Sequence, residues 1–559
     1  MIILGIADNH DSGAALVIDG KLVGAVNQER IDRIKNSGVF PWGAIDQLLK
    51  EHNVAYRDVN RIAIGTAFTP SALLRQKPSS HRTAKKSGQF SVLLHSYMVY
   101  QSFLRRSGFH TVEIDACKKI LSKRLKERPF ENFDLQLWDH HQSHAEAAYR
   151  TQAKEEVLVL TLDAMGDGLS ATAWEGRHGE IRKIWDQSGL AAINLFYSRI
   201  TEVLGFTPLR HEGKVTGLAA YAEAPKDLVA HFAQEIAFVD GKFKHFNYKI
   251  PAHRNDEFWN KCQNYSKEEV ASAAQTVLET AVLDFVQYWI EQTGLRNIAV
   301  AGGIFANVKL NQRIANLTNL ESLWVLPHMG DGGLAVGAAL AAADAAPTQL
   351  PHVYLGFEPS RQDNFRAIKR NNLPRQNNDV IERIAKCLSK GGVIARCSGA
   401  MEWGPRALGN RSILALPSDA SINDSLNKKL QRTEFMPFAP IVRDCDAERY
   451  FLGLDVIKQS TPFMTICVDC TEEFKQKAPA AVHVDGTARP QILRESDNPE
   501  VYKLLGEVGK KTGTPILINT SFNMHEEPIV CTADDAVRAF LASGLEGLWL
   551  GEYFVEKDL

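Results

Sequence analysis

Along this chain, apolar residues come in short continuous runs separated by small and acidic loops. Ile2–Ala7 is one such run, followed by the polar loop Asp8-Asn9-His10-Asp11-Ser12-Gly13 and a second run, Ala14–Ile18. Asp19-Gly20 then predicts a tight hairpin turn before a third strand, Leu22–Val26. The same grammar returns at Val157–Asp163, the loop Ala164-Met165-Gly166-Asp167-Gly168, the run Ala171–Glu175, the turn Gly176–Gly179 and the run Ile181–Trp185. Two hairpin units of one pattern predict a duplicated α/β fold in which the two acidic loops face each other across a cleft.

Later in that region the strand Asn297–Ala301 runs into Gly302-Gly303, with a helix beginning near Phe305-Ala306-Asn307. Next come a strand at Ser322–Leu326, the loop Pro327–Gly333 and a small-residue helix over Leu334–Ala345. A strand–glycine–helix unit brings backbone N–H groups and a helix N-terminus toward a bound anion. A close-packed turn explains a lone glycine pair equally well, but two such units favour a nucleotide site that includes Gly302, Gly303, Asn307 and Gly333. Prolines over 346–360 mark a linker, which divides the chain into domains at 1–345 and 361–559.

The second domain also reads as α/β. Its candidate chemistry sits in Trp403-Gly404-Pro405-Arg406, in the stretch around Arg432, in Asp485-Gly486-Thr487-Ala488-Arg489, and in the loop Asn519-Thr520-Ser521-Phe522-Asn523 after a strand at Pro515–Ile518. Each joins a cation or amide to hydroxyls and turn residues, as a grip on phosphate or urea-like groups requires. Taken singly, turn capping and structural ion pairs are the alternative.

Composition narrows the class. The chain has 559 residues, too many for one core, with 45% apolar and 23% charged residues. A formal net charge of -2 gives no footprint for nucleic-acid binding, and the basic run Lys118–Arg128 reads as a solvated helix face. Eight cysteines in so long a chain do not make a disulfide framework. Cys467 and Cys470 form a CxxC, but they lie in a run, Phe463–Val468, that reads as a strand. The chain opens without a basic leader, and its most apolar helix is too short to span a membrane. A cytoplasmic protein with no membrane partner is expected.

The sharpest chemistry lies in Asp139-His140-His141-Gln142-Ser143-His144. If this segment opens a helix, His140 and His144 share one face a turn apart. Two imidazoles so placed can hold one metal ion, and Asp163, at the end of its strand, can complete the site. Such an ion polarises phosphate or carbonyl oxygens. Mixed His and Asp ligands suit iron, manganese or zinc.

Together these motifs resemble the O-carbamoyltransferases of the nodulation-protein NodU, cephem carbamoyltransferase and tobramycin carbamoyltransferase type. The resemblance runs through His10–Ala15, His140–His144, Glu212–Tyr221, Gly302–Asn307, Trp403–Gly409 and Asn519–Asn523. It implies an N-terminal domain of the actin and sugar-kinase superfamily, similar to tRNA threonylcarbamoyl-transferring proteins, and a YrdC-like C-terminal domain. It further implies that carbamoyl phosphate and ATP, with Mg2+, give a carbamoyl-adenylate at the second domain. The carbamoyl group would then pass to an acceptor hydroxyl at the first, where an iron-type metal sits on His140, His144, Asp163 and Asp331. By the same resemblance His10 takes the place of the base, with Arg406 and Arg489 as catalytic cations. Many members carry cations where this chain has Leu430 and Met436; Arg432 is kept, and Lys428 or Lys429 is the available substitute.

The expected activity is therefore that of an ATP-dependent carbamoyltransferase acting on a small-molecule or glycan hydroxyl. The alternatives are a tRNA threonylcarbamoyl-transfer enzyme and a non-catalytic nucleotide-binding regulator. A homo-oligomer is compatible with each. The sequence leaves the acceptor open; the aromatics Tyr97, Tyr100, Phe103 and Phe109, in an insertion between about Phe68 and Gln136, are a candidate wall for it or part of the core.

Overall fold

The two repeats anticipated from the hairpins have the same strand order. In the first, β1 (Ile2–Ala7), β2 (Gly13–Ile18), β3 (Lys21–Asn27), β4 (Arg61–Ile64) and β5 (Asp134–Leu137) form a five-stranded sheet ordered β3-β2-β1-β4-β5. In the second, β6 (Val157–Gly166), β7 (Leu169–Arg177) and β8 (Glu180–Ser188) are followed by a ribbon of β9 (Phe238–Val239) and β10 (Lys242–Phe243). The sheet is completed by β11 (Asn297–Ala301) and β12 (Ser322–Val325), in the order β8-β7-β6-β11-β12. In both, the first strand is antiparallel to the second and parallel to the fourth. The hairpin turns Asp19-Gly20 and Asp167-Gly168 have positive φ at both residues, 48° and 78° in one and 48° and 80° in the other. That geometry matches the twist of the flanking strands. These coordinates are a computed structural model that describes residues 1–76, 92–244, 257–430 and 435–557.

A helix at Leu334–Ala342, whose nine residues are all buried, holds the first unit together. Its small side chains let neighbours approach closely. A Cβ on Gly337 would lie 1.8 Å from the Ser143 carbonyl oxygen, in the His140–Arg150 helix. Close packing of these two helices therefore depends on a residue with no side chain. Among the described residues no helix is long and apolar enough to cross a membrane.

The second unit is built on a seven-stranded mixed sheet. Its strands are β13 (Ile394–Cys397), β14 (Arg411–Ala415), β15 (Ala439–Arg443), β18 (Gln491–Leu493), β19 (Ile516–Ser521), β20 (Gly547–Leu550) and β21 (Tyr553–Glu556). They are ordered β18-β15-β19-β14-β13-β20-β21. Alternate residues enter opposite cores, as the two-residue strand period requires. Ala395, Ile413, Ile518 and Leu548 pack with Ala367 and Val537 of the helices Arg361–Arg370 and Ala533–Ser543. Ile394, Leu414, Leu517 and Trp549 pack with Ile384 and Leu504 of the helices Val380–Ser389 and Pro499–Thr512.

The compact units are Met1–Val23 with Ser37–Gln349, and Gly24–Asn36 with Leu350–Leu559. Within the second, Arg30 donates to the Gly404 carbonyl at 2.8 Å, and Arg33 to the carbonyls of Ile529 and Pro528 at 2.6 and 2.7 Å. Phe463–Val468 is not the strand expected. Phe463 ends a short 3-10 turn, and Met464 takes φ 55°, which interrupts an extended run. Only β16 (Val468–Asp469) is extended, paired with β17 (Thr487–Ala488). Cys467 and Cys470 are buried thiols.

Candidate metal centre

The His140–Arg150 helix starts as its sequence dictates. Asp139 is extended, and its carboxylate accepts from the Gln142 N–H at 3.1 Å, capping the first turn. The buried Asp167 carboxylate, reached from the turn between β6 and β7, accepts from the backbone N–H of Ala67, Phe68 and His140 at 2.7, 2.8 and 2.9 Å. It ties the helix start to the end of the first sheet. On the resulting face the rings of His140 and His144 lie 4.8 Å apart, and both side chains are buried. His141 points elsewhere, its Nδ1 2.6 Å from Thr161 Oγ1. Burial and the neighbouring His140 push His141 down to about 3, so it is neutral.

Asp163 meets the two imidazoles because β6 leaves its ladder there. Between Leu162 and Gly166 the strand advances four residues while β7 moves only from Ala171 to Leu169. Bulges of this kind re-aim side chains. Asp163 Oδ2 is 3.2 Å from His140 Nε2 and 3.1 Å from His144 Nε2. Asp331, in the short turn preceding the Leu334–Ala342 helix, brings Oδ1 to 3.8 and 3.6 Å from the same nitrogens. The four ligand atoms all lie within 4.8 Å of one another.

These residues fit a divalent ion. An ion held at about 2.0–2.2 Å by four N and O donors sets neighbouring donors roughly 3–4 Å apart, and the four His–Asp distances of 3.1, 3.2, 3.6 and 3.8 Å fall in that range. Each imidazole turns Nε2 into the cluster toward Asp163, while its Nδ1 is buried without a hydrogen bond among the described residues. The electrostatics point the same way. Burial lowers His140, but Asp331 and Asp163 outweigh it and raise its pKa to about 9. Burial and the Asp331 charge push Asp163 up, yet its bonds to His140 and His144 bring it below the usual carboxylate value. Burial likewise opposes ionisation of Asp331, and His10 and His140 hold it well below. The cluster gathers two buried carboxylates whose charge calls for a cation.

His10 reaches this cluster from the opposite repeat. Its Nδ1 is 3.1 Å from Asp331 Oδ2, and its ring is half exposed. Asn9, absent from the sequence-derived set, donates from Nδ2 to the same oxygen at 2.8 Å. The preceding Asp8 is gripped by the buried Arg75, whose Nε and Nη2 donate to its two oxygens at 2.8 and 3.1 Å. No local motif announces Asn9 or Arg75; their partners lie in other elements.

The remaining candidates divide by unit. Gly302, at φ 105°, donates its N–H to the Met329 carbonyl, and a Cβ on Gly303 would sit 3.2 Å from Asp163 Oδ1, so this turn borders the His–Asp cluster. Asn307 caps the Val308–Ala315 helix through Oδ1 and donates from Nδ2 to Gln275 at 2.8 Å. Gly333 is packed against the His328 carbonyl, 2.3 Å from where its Cβ would be. Of the acceptor-wall aromatics, Tyr97 accepts from the Ser71 N–H at 3.0 Å, whereas Tyr100, Phe103 and Phe109 are exposed. Residues 77–91 of that insertion lie outside the described residues.

In the second unit Arg406 and Arg489 are half-buried. The Arg406 loop is shaped by Glu402, whose Oε1 accepts from the N–H of Leu408, Asn410 and Arg411 at 2.7, 2.8 and 3.1 Å. Glu402, immediately before the Trp403–Arg406 motif, is absent from the residues read from the sequence. Asn519 is buried and donates to Gln491 Oε1 at 2.7 Å and to the Ala407 carbonyl at 3.3 Å, joining β19 to the Arg406 loop. Thr520 and Ser521 are half-buried at the end of β19. Asn523 donates to the carbonyls of Met524 and Glu527, closing its own loop. Lys428 is exposed, Lys429 pairs with Glu546, and Arg432 lies outside the described residues.

The family model described as Carbamoyltransferase N-terminus matches residues 2–340, and Carbamoyltransferase C-terminus matches 385–557. The chain is 31% identical to nodulation protein NolNO of Sinorhizobium fredii, across 98% of this chain and 79% of that one. It is 29% identical over the full length of both chains to an uncharacterized protein of Methanocaldococcus jannaschii. Among solved structures, a ROK hexokinase from Thermus thermophilus superposes with a TM-score of 0.30 at 12% identity, covering 61% of this chain and 98% of that one, too loosely to bear on function. With both of its units matched, the chain belongs to the carbamoyltransferase family.

Proposed function

We propose that this carbamoyltransferase activates carbamoyl phosphate with ATP and passes the carbamoyl group to a hydroxyl of a small molecule or glycan. In the activation half, water releases phosphate from carbamoyl phosphate, the carbamate oxygen attacks the α-phosphorus of ATP, and pyrophosphate leaves. Arg406 and Arg489 are assigned to the second unit's anionic groups, where guanidinium forks stabilise charge on departing phosphates. In the transfer half, the acceptor oxygen attacks the carbamoyl carbon, AMP leaves, and the hydroxyl proton goes to His10.

The observation that carries this reading is the His140–His144–Asp163–Asp331 cluster with His10 on its rim. A carboxylate oxygen facing Nδ1 of His10 favours the proton there, which makes Nε2 the basic atom. Bound at the four ligands, a divalent ion (Fe2+ first, with Mn2+ or Zn2+ as substitutes) would polarise phosphate or carbonyl oxygens. The second domain has the place of the YrdC-like, adenylate-forming half, and a cytoplasmic setting suits both co-substrates.

The test is pyrophosphate release from ATP and Mg2+ by the whole chain. It should require carbamoyl phosphate, and AMP should appear only when a hydroxyl acceptor is added. Transfer that proceeds without ATP would overturn the adenylate route.

A further inference from the structure

We propose that Asn9 is a positioning residue that holds the Asp331 carboxylate in a divided geometry, with one oxygen turned to the two imidazoles and the other to His10. The proposal rests on the reading of the four-residue cluster as a metal site. Asp331 Oδ1 faces Nε2 of His140 and His144, at 3.8 and 3.6 Å. Its Oδ2 takes the Asn9 amide at 2.8 Å and lies 3.1 Å from His10 Nδ1. One carboxylate thus serves the ion on one side and the base on the other.

Two bonds settle what Asn9 contributes. Its Oδ1 accepts from the Asp11 N–H at 3.4 Å, so the amide nitrogen is the end left for Asp331. The side chain is buried, and the residue before it is locked by the buried Arg75–Asp8 pair. Asn9 is therefore a fixed donor, whereas the half-exposed ring of His10 is a compliant one. The run Asp8-Asn9-His10-Asp11 is otherwise acidic or basic. An aspartate at position 9 would set two carboxylates in contact, and only the amide supplies a neutral donor of that length. A hydrogen bond to a charged acceptor is roughly twice as strong as a neutral one. Without it the carboxylate can rotate about its terminal bond and exchange its two oxygens, loosening the ion and the base together.

The experiment uses the whole chain stripped of metal and titrated with Co2+ against a chelator, comparing wild type with Asn9→Ala, Asn9→Leu and His144→Ala. Leucine matches asparagine in size, so it keeps the buried volume if alanine unfolds the loop. Both Asn9 variants should bind Co2+ about 10–100-fold more weakly, the usual cost of removing a group that orients a ligand. Their Co2+ absorption bands should shift, and kcat at saturating Co2+ should fall while KM for ATP stays. Wild-type affinity, spectrum and kcat in both variants would overturn the role of Asn9, even if His144→Ala has lost Co2+. Wild-type Co2+ binding by His144→Ala would instead remove the metal reading itself.

Discussion

At the scale of single residues, the site separates groups that hold from groups that react. His140 and His144 are buried and spend Nε2 on the cluster, so their removal should empty the centre without unfolding the chain. Elemental analysis of His140→Ala and His144→Ala should find loss of stoichiometric metal with an unchanged circular dichroism spectrum; full occupancy in both would sink the assignment. His10 is different, being half exposed and bonded to the far oxygen of Asp331. His10→Asn should keep the metal and pyrophosphate release but slow transfer by roughly two to four orders of magnitude, the range for general bases. A near wild-type transfer rate would return His10 to a structural role. That His140 and His144 share one face was legible because a helix turns residues four apart onto the same side. Asn9 was not, because its partner Asp331 is 322 positions away.

At the scale of elements, the centre depends on how closely two helices approach. The His140–Arg150 helix carries the imidazoles, and the Leu334–Ala342 helix follows the turn that carries Asp331. Gly337 lets their backbones touch at Ser143. Gly337→Ala should push them apart, costing about 1–3 kcal/mol, as overpacking of a tight core does. Calorimetry should record the lower melting temperature, and metal titration of the folded variant a weaker site. Unchanged values in both would mean that the contact does not set the centre. The hairpin strands of both repeats, with β11 and β12, were legible from apolar runs and turn residues, whereas β4 and β5 went unread. The bulge that turns Asp163 was not legible either, since Ala164-Met165 has no pattern of its own.

At the scale of the whole molecule, the proposal assigns activation and transfer to different units. Arg406→Ala and Arg489→Ala should abolish carbamoyl-phosphate-dependent pyrophosphate release, while His140→Ala should leave that partial reaction largely intact and lose only transfer. A coupled pyrophosphate assay decides it: equal loss in all three variants would favour one shared site. The compact units part between Gln349 and Leu350, and Gly24–Asn36 belongs with the second. Nothing in that segment advertises it, because Arg30 and Arg33 find their carbonyl acceptors 374 and about 496 positions on.

By itself the sequence determined the α/β class, the duplicated hairpins, the histidine pair and the family, because strand runs, tight turns and helical spacing are local and the motifs keep their order. Tertiary structure alone decided that Asp331 divides its two oxygens, that Asn9 fixes it, and that Glu402 gathers three N–H groups beneath the Arg406 loop. Each is a hydrogen bond between side chains or loops whose meeting depends on packed helices and paired strands. No periodicity in the chain encodes such a bond.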